Sequence, residues 1–237
     1  MVFEVRDLSV RNANRTVVSG VSLRIAPGEA TAVLGANGAG KSELVLALAG
    51  MLPVSGGTVL LDGADLTGKD PAQIRRAGVA AVPEGHRVLT RLSVDDNLRA
   101  AGSLLDTGLD ETLSDTYTLF PELAERKGQL AGTMSGGQQQ MLALGHAMMC
   151  RPKVLLIDEM SLGLAPLVVK RLMGFVAGLK SRGTSVLLIE QFTDLALGVC
   201  ENAVVLRGGK PRYAGPSADL RADPALLDVA YFGAETA

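Results

Sequence analysis

Several residue types that often mark a specialised protein are scarce or missing in this chain. It contains no tryptophan, two cysteines and two histidines, and aromatic residues make up only 3% of its 237 residues. Cys150 and Cys200 lack the paired spacing of a disulfide framework or zinc site, and no carboxylate spacing beside His86 or His146 suggests metal binding. We therefore expect buried structural thiols, structural or surface histidines, and a core built from aliphatic side chains.

The chain also lacks long apolar runs and an excess of basic residues. Runs such as Val154–Ile157 and Val186–Ile189 are far shorter than the roughly 20 residues that cross a bilayer. Residues 1–7 have neither the basic start nor the apolar centre of a secretory signal. The net charge is -2, without a basic block of the kind that binds phosphodiester backbones. These absences predict a cytoplasmic protein whose main partner is not nucleic acid.

Short apolar runs alternate with helical patterns along most of the sequence. Apolar and β-branched residues predict antiparallel strands at 2–10 and 16–25, separated by the polar residues 11–15. From about residue 85 to residue 133 strand signals disappear, which predicts an inserted helical subdomain. Further predicted strands are 30–34, 154–157, 185–189, 203–206 and a hairpin strand after 209, and predicted helices are 41–49, 135–150, 166–181, 217–221 and 224–231, with helical segments starting at Ser93 and near Asp110. This alternation predicts an α/β fold whose mostly parallel sheet is covered by helices.

The segment from Gly35 to Ser42 matches the pattern G-x-x-x-x-G-K-[ST] and lies between a predicted strand and a predicted helix. Its glycines let the chain curl so that successive backbone N–H groups face phosphate oxygens, helped by the positive end of the following helix. Lys41 is expected to reach the β- and γ-phosphates, and the Ser42 hydroxyl to bind Mg²⁺. The sequence thus predicts a nucleotide site made of Gly35, Ala36, Asn37, Gly38, Ala39, Gly40, Lys41 and Ser42.

Two further motifs each have a structural and a functional interpretation. Asp158 and Glu159 follow a buried predicted strand, at the edge where open α/β sheets bind ligands. There Asp158 can hold Mg²⁺ through water and Glu159 can polarise an attacking water, although an apolar run ending in Asp-Glu is equally compatible with a structural role. The segment Ser135–Gln138 precedes a predicted helix, so Ser135 alone is explained as a helix N-cap. Neither motif decides the function by itself.

In combination and in this order, the motifs resemble one family, the ATP-binding subunits of ABC transporters. Met134–Gln138 is similar to the ABC signature and stands between the phosphate loop and the Asp158–Glu159 pair, as that family requires. Similar stretches occur at Val82–Gly85 (the Q-loop position), Ser161–Pro166 (the D-loop) and Ile189–Gln191 (the switch). Several of these, with Leu130–Thr133 and Gln138–Ala143, are similar to LivF-type subunits, which serve branched-chain amino acid uptake. The resemblance covers essentially the whole chain.

The resemblance implies a fold, an activity and partners. A P-loop NTPase core would comprise roughly residues 1–84 and 155–237 with a small N-terminal antiparallel sheet, and residues 85–154 would form a helical subdomain carrying the signature. The implied activity is ATP hydrolysis coupled to import, with ATP and Mg²⁺ bound. The implied partners are membrane permease subunits, a second ABC ATPase in a homodimer or heterodimer, and indirectly an extracytoplasmic substrate-binding protein. Such a subunit lies in the cytoplasm, on the inner face of the cell membrane.

Individual residues also receive implied roles. Glu159, Gln191 and Glu84 would be catalytic, with Gln191 and Glu84 standing where most of the family has His and Gln, as is typical of LivF-type subunits. Ser42, Asp158 and Glu84 would bind the metal. The nucleotide would be clamped between the phosphate loop of one subunit and four residues of the other: Ser135, Gly136, Gly137 and Gln138.

Three departures from the subfamily leave two alternatives open. Asn12 stands near where an aromatic residue would stack on adenine, Glu43 stands where a hydroxyl residue is expected beside the α-phosphate, and Met160 replaces the proline after the catalytic glutamate. Weakened nucleotide binding or a loosened Glu159 would fit a regulatory subunit with impaired hydrolysis. The second alternative is a non-transport ABC ATPase, although the chain has neither the long coiled-coil insertions nor the tandem cassettes usual in that group.

Overall fold

The computed structural model describes residues 1–85, 88–161 and 163–233. The expectation for His86 and the Leu162 position of the D-loop stretch fall outside these ranges. Within them, no helix has the length and apolar character needed to cross a bilayer.

Two β-sheets form the framework of the molecule. Their strands, in chain order, are β1 (Phe3–Asn12), β2 (Arg15–Ile25), β3 (Ala30–Leu34), β4 (Val54–Leu61), β5 (Ala64–Asp65), β6 (Val79–Val82), β7 (Val154–Asp158), β8 (Ser185–Ile189), β9 (Asn202–Arg207) and β10 (Lys210–Pro216). The larger sheet has the order β10-β9-β3-β8-β7-β6 and is parallel except for β10, which pairs with β9 in the antiparallel direction. The smaller sheet is antiparallel, with the order β2-β1-β4-β5.

Helices alternate with the strands of the larger sheet. They are α1 (Lys41–Leu48), α2 (Pro71–Ala77), α3 (Val94–Ala101), α4 (Leu109–Leu119), α5 (Pro121–Ala124), α6 (Gly136–Met148), α7 (Pro166–Ser181), α8 (Thr193–Val199), α9 (Ser217–Ala222) and α10 (Pro224–Phe232). Helices α3 to α6 all lie between β6 and β7, where the sequence predicts a helical insertion.

The parallel strands β3, β7 and β8 of the larger sheet are buried along their whole length, as expected for strands whose two faces are covered, and each is a nearly continuous apolar run. Successive side chains of a strand point to opposite faces. Along β7, Leu155 and Ile157 accordingly belong to a core shared with α6 and α7, whereas Leu156 belongs to a second core shared with α1 and the antiparallel sheet. The result is a layered α/β structure with the parallel sheet in the middle.

Most predicted elements are confirmed. β3, β8 and α7 have the predicted bounds, and the other assigned elements differ by about two residues or fewer. The polar segment predicted to separate the first two strands, residues 11–15, is shorter in the structure. β1 and β2 pair as far as Asn12 and Arg15, so only Ala13 and Asn14 remain in the turn. Ala13 has a φ of 50°, which allows this tight reversal.

Residues 50–84 contain four elements that the sequence patterns do not assign, namely β4, β5, α2 and β6. The alternation expected of a strand is interrupted in β4 by Gly56 and Gly57. Gly57 has a φ of 85°, and a Cβ atom there would lie 2.4 Å from the Arg6 carbonyl oxygen. β6 is only four residues long, and two of them are alanines.

A buried polar pair ties α3 to α6. The Asn97 side chain is fully buried, donates to the carbonyl oxygens of Leu89 and Ser93, and accepts from the Leu89 N–H. On α6, Nε2 of His146 lies 3.1 Å from Oδ1 of Asn97. Burial, reinforced by the charge of Arg75, lowers the pKa of His146 to about 4. The imidazole is therefore neutral at pH 7 and supports the chain entering α3.

His146 should make the fold less stable in mild acid. Because the pKa of this imidazole is about 4 in the folded protein and 6.5 without the fold, protons favour the unfolded state as the pH falls below 6.5. Going from pH 7 to pH 5 should cost about 2 kcal/mol of unfolding free energy that a His146→Gln variant does not lose. Urea unfolding of both proteins at the two pH values measures the difference. Equal losses would show that the folded protein does not hold His146 in its neutral form.

Candidate active site

The carboxyl ends of four neighbouring parallel strands meet at one edge of the larger sheet. β3 leads into the loop that starts at Gly35, and β8 leads into Gln191. β7 ends at Asp158 and is followed by Glu159, and β6 leads to Glu84. Open α/β sheets bind ligands at this edge. The fold thus brings the phosphate loop together with the residues that the sequence suggests for catalysis and metal binding.

The phosphate loop is packed too tightly for a side chain at two of its glycines. A Cβ atom on Gly35 would lie 2.3 Å from the Leu206 carbonyl oxygen, and one on Gly40 would lie 2.5 Å from that of Val17. Both glycines have positive φ angles, 145° and 99°. Between them, residues 36–38 are exposed. The loop is therefore a fixed backbone structure that is anchored at both ends and accessible in the middle.

The β9–β10 turn connects this loop to the antiparallel sheet. The Gly209 N–H donates to the Ala39 carbonyl at 3.0 Å, and the Gly209 carbonyl accepts from the Ser19 N–H on β2 at 2.7 Å. A Cβ atom on Gly209 would lie 2.4 Å from the Val17 carbonyl oxygen. Backbone hydrogen bonds thus join the loop, the turn and β2.

Lys41 is a buried cation at the centre of the site. Its ammonium group donates hydrogen bonds to the carbonyl oxygens of Gly35 at 2.8 Å and Ala36 at 3.2 Å. The same group lies 4.0 Å from Oε1 of Glu159, while the Gln191 amide donates to Oε2 of Glu159 at 2.9 Å. Glu159 is thereby held between a lysine and a glutamine, with its carboxylate directed at the phosphate loop.

Asp158 is a buried carboxylate beside Ser42. The residue is 2% exposed, its carboxylate is hydrogen-bonded to the Ser42 side chain, and its Oδ1 atom has no hydrogen-bond partner in the described part of the chain. Burial raises the pKa of Asp158 to about 6, the Ser42 hydrogen bond opposes this rise, and the charges of Glu159 and Glu84 add to it. A hydroxyl beside a carboxylate with a free oxygen is the kind of donor set that Mg²⁺ prefers.

Glu190 is a buried acidic residue to which the sequence patterns assign no role. It is 1% exposed, and it accepts a hydrogen bond from the Ser161 hydroxyl. Burial raises the pKa of Glu190, and the bond from Ser161 opposes the rise. This contact joins the turn after Glu159 to the segment that carries Gln191. Its only signal in the sequence is a charged residue placed between an apolar strand and Gln191.

The turn after β7 is held by a buried methionine. Glu159 has a φ of 50°, a left-handed conformation that costs a non-glycine residue about 1 kcal/mol or more. Its N–H donates to the Ile189 carbonyl at 3.0 Å. The Met160 side chain is fully buried in the core that α6 and α7 share. The sequence suggests a loosened Glu159 because Met160 replaces the usual proline. The hydrogen bond to Ile189 and the burial of Met160 both act against such loosening.

The signature-like segment lies at the start of α6, and its side-chain hydrogen bonds are made there. Oγ of Ser135 accepts from the Gln138 N–H at 3.4 Å, and Oε1 of Gln138 accepts from the Ser135 N–H at 3.0 Å. These reciprocal bonds form a capping box, which confirms the structural interpretation of Ser135. The first turn of α6 contains Gly136 and Gly137 and no acidic residue. The nucleotide contact of these four residues stays a prediction, because it requires a second subunit.

The fold and the site define a class of protein. A glycine-rich loop between a strand and a helix, with its lysine beside an aspartate–glutamate pair at the carboxyl edge of a parallel sheet, is the arrangement of a P-loop nucleotide-hydrolysing protein.

Comparisons with known proteins narrow this class to one family. Residues 18–161 match the model of the ABC transporter family. The high-affinity branched-chain amino acid transport ATP-binding protein BraG of Pseudomonas aeruginosa is 42% identical, over 90% of this chain and 91% of its own length. The probable branched-chain amino acid transport ATP-binding protein LivF of Archaeoglobus fulgidus is 33% identical, over 80% of this chain and 81% of its own length. The chain belongs to the ABC transporter family, as an ATP-binding subunit, which confirms the resemblance seen in the motifs.

Solved structures agree with this assignment. An ATP-binding subunit of an ABC transporter, 27% identical in sequence, has a TM-score of 0.85 over 97% of this chain and 98% of that one. The agreement over nearly the full length confirms the P-loop core, the antiparallel sheet and the helical insertion as one family fold.

Shortening the Met160 side chain should destabilise the protein substantially. Met160→Ala leaves a cavity in a closed core and should lower the unfolding free energy by about 3 kcal/mol. Met51→Ala is a matched control, because Met51 is 48% exposed, and it should change the free energy by less than about 0.5 kcal/mol. Urea denaturation at pH 7 compares them. Similar small losses in both variants would mean that Met160 does not hold the turn.

Proposed function

We propose that this chain is the ATP-hydrolysing subunit of an ABC importer for branched-chain amino acids or related small molecules. The observation that carries the proposal is that Lys41 and Gln191 each contact the Glu159 carboxylate at the phosphate loop. A subunit that only binds nucleotide does not need a glutamate held in this way. The branched-chain cargo is proposed from the likeness to BraG and LivF, since the transported molecule contacts other subunits.

ATP would be bound by the phosphate loop through its backbone N–H groups and Lys41. Mg²⁺ fits the adjoining side chains, because Ser42 and Asp158 supply oxygen donors and Oδ1 of Asp158 is available. The described residues contain no group of three or more His, Cys, Asp or Glu side chains able to hold a metal by themselves. We therefore propose that the ion binds jointly with the nucleotide, held by Ser42 and Asp158 with Glu84 nearby, and supplies positive charge to the phosphates.

The catalytic roles follow from the contacts of Glu159. A carboxylate at this position can orient and polarise the attacking water, and its charge is the feature required for that role. Gln191 holds one carboxylate oxygen and also lies 3.5 Å from Oδ1 of Asn37 in the phosphate loop. Gln191 can therefore position Glu159 relative to the terminal phosphate. Glu84 follows β6 on the segment that leads into the helical insertion, and its charge acts on Asp158, where it helps to raise the pKa of that carboxyl.

Two alternative functions receive less support. A regulatory subunit with impaired hydrolysis would be favoured by Asn12, which is exposed at the end of β1, and by Glu43, which is half-exposed in the first turn of α1. Neither residue disturbs the contacts of Glu159. A non-transport ABC ATPase is disfavoured because the first relatives found serve transport and match over nearly their full length.

Two substitutions separate nucleotide binding from turnover. Lys41→Ala removes the ammonium group at the phosphate loop and should weaken MgATP binding at least about tenfold, the equivalent of 1.4 kcal/mol. Glu159→Gln keeps the shape of the side chain but removes its charge, so it should bind MgATP like the wild type and lose more than about 99% of turnover. Calorimetric titration and phosphate release measure the two effects. Hydrolysis at the wild-type rate by the glutamine variant would exclude Glu159 as the catalytic base.

The signature segment supports a head-to-tail dimer. Its N–H groups at Gly136 and Gly137 begin a helix and carry partial positive charge, suited to a phosphate presented by a second subunit. Leu167, at the start of α7, is 81% exposed and offers apolar surface beyond the D-loop stretch. We propose a heterodimer with a related ATPase in the cell, with a homodimer as the alternative.

A groove between the sheet and the helical insertion suits a permease helix. It has a volume of about 320 Å³ and is lined by parts of α2, β6, α3 and α6, including Arg75, Ala100 and Ala147. The exposed side chains of Met51 and Leu89 border it. We propose that a cytoplasmic helix of a permease subunit docks here and holds the chain at the inner face of the membrane. An extracytoplasmic binding protein would then act only through the permease.

Adding charge and bulk to the groove should weaken assembly with the permease without affecting the nucleotide site. Ala100→Arg should lower co-purification with co-expressed permease subunits at least about tenfold, since a buried unpaired charge costs several kcal/mol. Ala177→Arg is the control, because Ala177 is exposed on α7 outside the groove. Both variants should bind MgATP equally. Undiminished co-purification of the Ala100 variant would exclude the groove as the docking site.

A further inference from the structure

The hydroxyl of Tyr231, on the last described helix, reaches the phosphate loop. The N–H of Gly35, the first residue after β3, donates to this hydroxyl at 3.2 Å. The Tyr231 hydroxyl also lies 3.2 Å from Oγ1 of Thr193, at the start of α8 and two residues after Gln191. One side chain from α10 thus bridges the phosphate loop and the segment that carries Gln191.

The two ends of this bridge are well fixed. Gly35 is buried, and its backbone packs directly on the carbonyl of Leu206 in β9. Helix α10 is attached to the same strand, because the Arg207 guanidinium donates to the Val229 carbonyl at 3.2 Å. Tyr231 is half-buried and packs against the core that α6 and α7 share. Contacts within the protein therefore hold the Tyr231 hydroxyl in place without a nucleotide.

We propose that Tyr231 is a positioning residue that sets the distance between the phosphate loop and the Gln191 segment. The inference rests on the proposed ATPase function and extends it to α10. Two side chains hold the backbone on either side of the Gly35 Cα atom, since the Gly35 carbonyl accepts from Lys41 and the Gly35 N–H donates to Tyr231. When Lys41 turns towards phosphate oxygens, it leaves the Gly35 carbonyl. The hydrogen bond from the Gly35 N–H to Tyr231 is then the side-chain contact that still holds this residue. The hydrogen bond between the hydroxyls of Tyr231 and Thr193 connects Tyr231 to the chain beside Gln191.

The two halves of the bridge should give different kinetic effects. Tyr231→Phe removes only the hydroxyl and leaves the buried Gly35 N–H without its partner, so the dissociation constant of MgATP should rise about fivefold and kcat should fall with it. Thr193→Val removes the contact on the Gln191 side alone, so kcat should fall about threefold while the dissociation constant stays within about twofold. Thr193→Ser keeps the hydroxyl and should behave like the wild type.

Tyr213→Phe is the matched control for loss of a tyrosine hydroxyl bond. The Tyr213 hydroxyl bonds to the Pro216 carbonyl at 2.7 Å and to a carboxylate oxygen of Asp219 at 3.3 Å, both near the start of α9. The purified full-length variants are compared by MgATP calorimetry, steady-state ATP hydrolysis and thermal unfolding. We expect similar melting temperatures for the two phenylalanine variants and altered kinetics only for Tyr231→Phe.

Two outcomes would overturn the inference. One is a Tyr231→Phe variant whose dissociation constant and kcat match those of Tyr213→Phe, which would make the bond merely structural. The other is a Tyr231→Phe/Thr193→Val double variant whose kcat loss is the product of the single losses, which would show that the two contacts act independently. Failure of the wild-type chain to bind MgATP would instead overturn the proposed function itself.

Discussion

The site depends on one constraint, the common direction of four neighbouring strands. Because β3, β8, β7 and β6 are parallel and adjacent, their carboxyl ends deliver four chain segments to one edge of the sheet. The segment after β3 contributes backbone N–H groups, and the segment after β8 contributes the amide of Gln191. The segments at the ends of β7 and β6 contribute carboxylates. Parallel pairing requires crossover connections, and their helices bury both faces of the sheet. Parallel pairing thus accounts both for the burial of the sheet and for the set of chemical groups that meet at the site.

The charges at this edge are unbalanced in the free chain. Asp158, Glu159 and Glu190 are buried or nearly so, and Lys41 is the buried cation within reach. Carboxylates removed from water favour their protonated form, which explains the raised pKa of Asp158 and of Glu190. A nucleotide adds further negative charge to the same space. The divalent cation that we propose to bind with the phosphates would offset this excess of negative charge.

The sequence predicts those features that are encoded locally. The apolar runs of β3 and β8 have no competing interpretation, and the capping box of α6 is visible as Ser135 and Gln138 three residues apart. The phosphate loop is predictable for the same reason, since its glycines and Lys41 lie within eight consecutive residues. Elements between residues 50 and 84 are missed because glycines and alanines weaken the periodic pattern there.

Other features of the site arise only when distant parts of the chain meet. The left-handed conformation of Glu159 has no local signal, since it depends on the burial of Met160 and the hydrogen bond to Ile189. Glu190 gains its partner from a turn that lies 29 residues away. Tyr231 and Gly35 are separated by 196 positions, and nothing in either neighbourhood predicts their contact. The roles of the site residues can be inferred from sequence motifs, whereas the contacts that hold those residues in place are seen only in the folded structure.

The glycine contacts around Gly209 have a mechanical consequence. The phosphate loop, the β9–β10 turn and β2 are joined by direct backbone hydrogen bonds, which leave little room for one part to shift without the others. These parts must move as one body whenever the nucleotide changes. A shift of the phosphate loop would therefore reach the edge of the antiparallel sheet directly through β2.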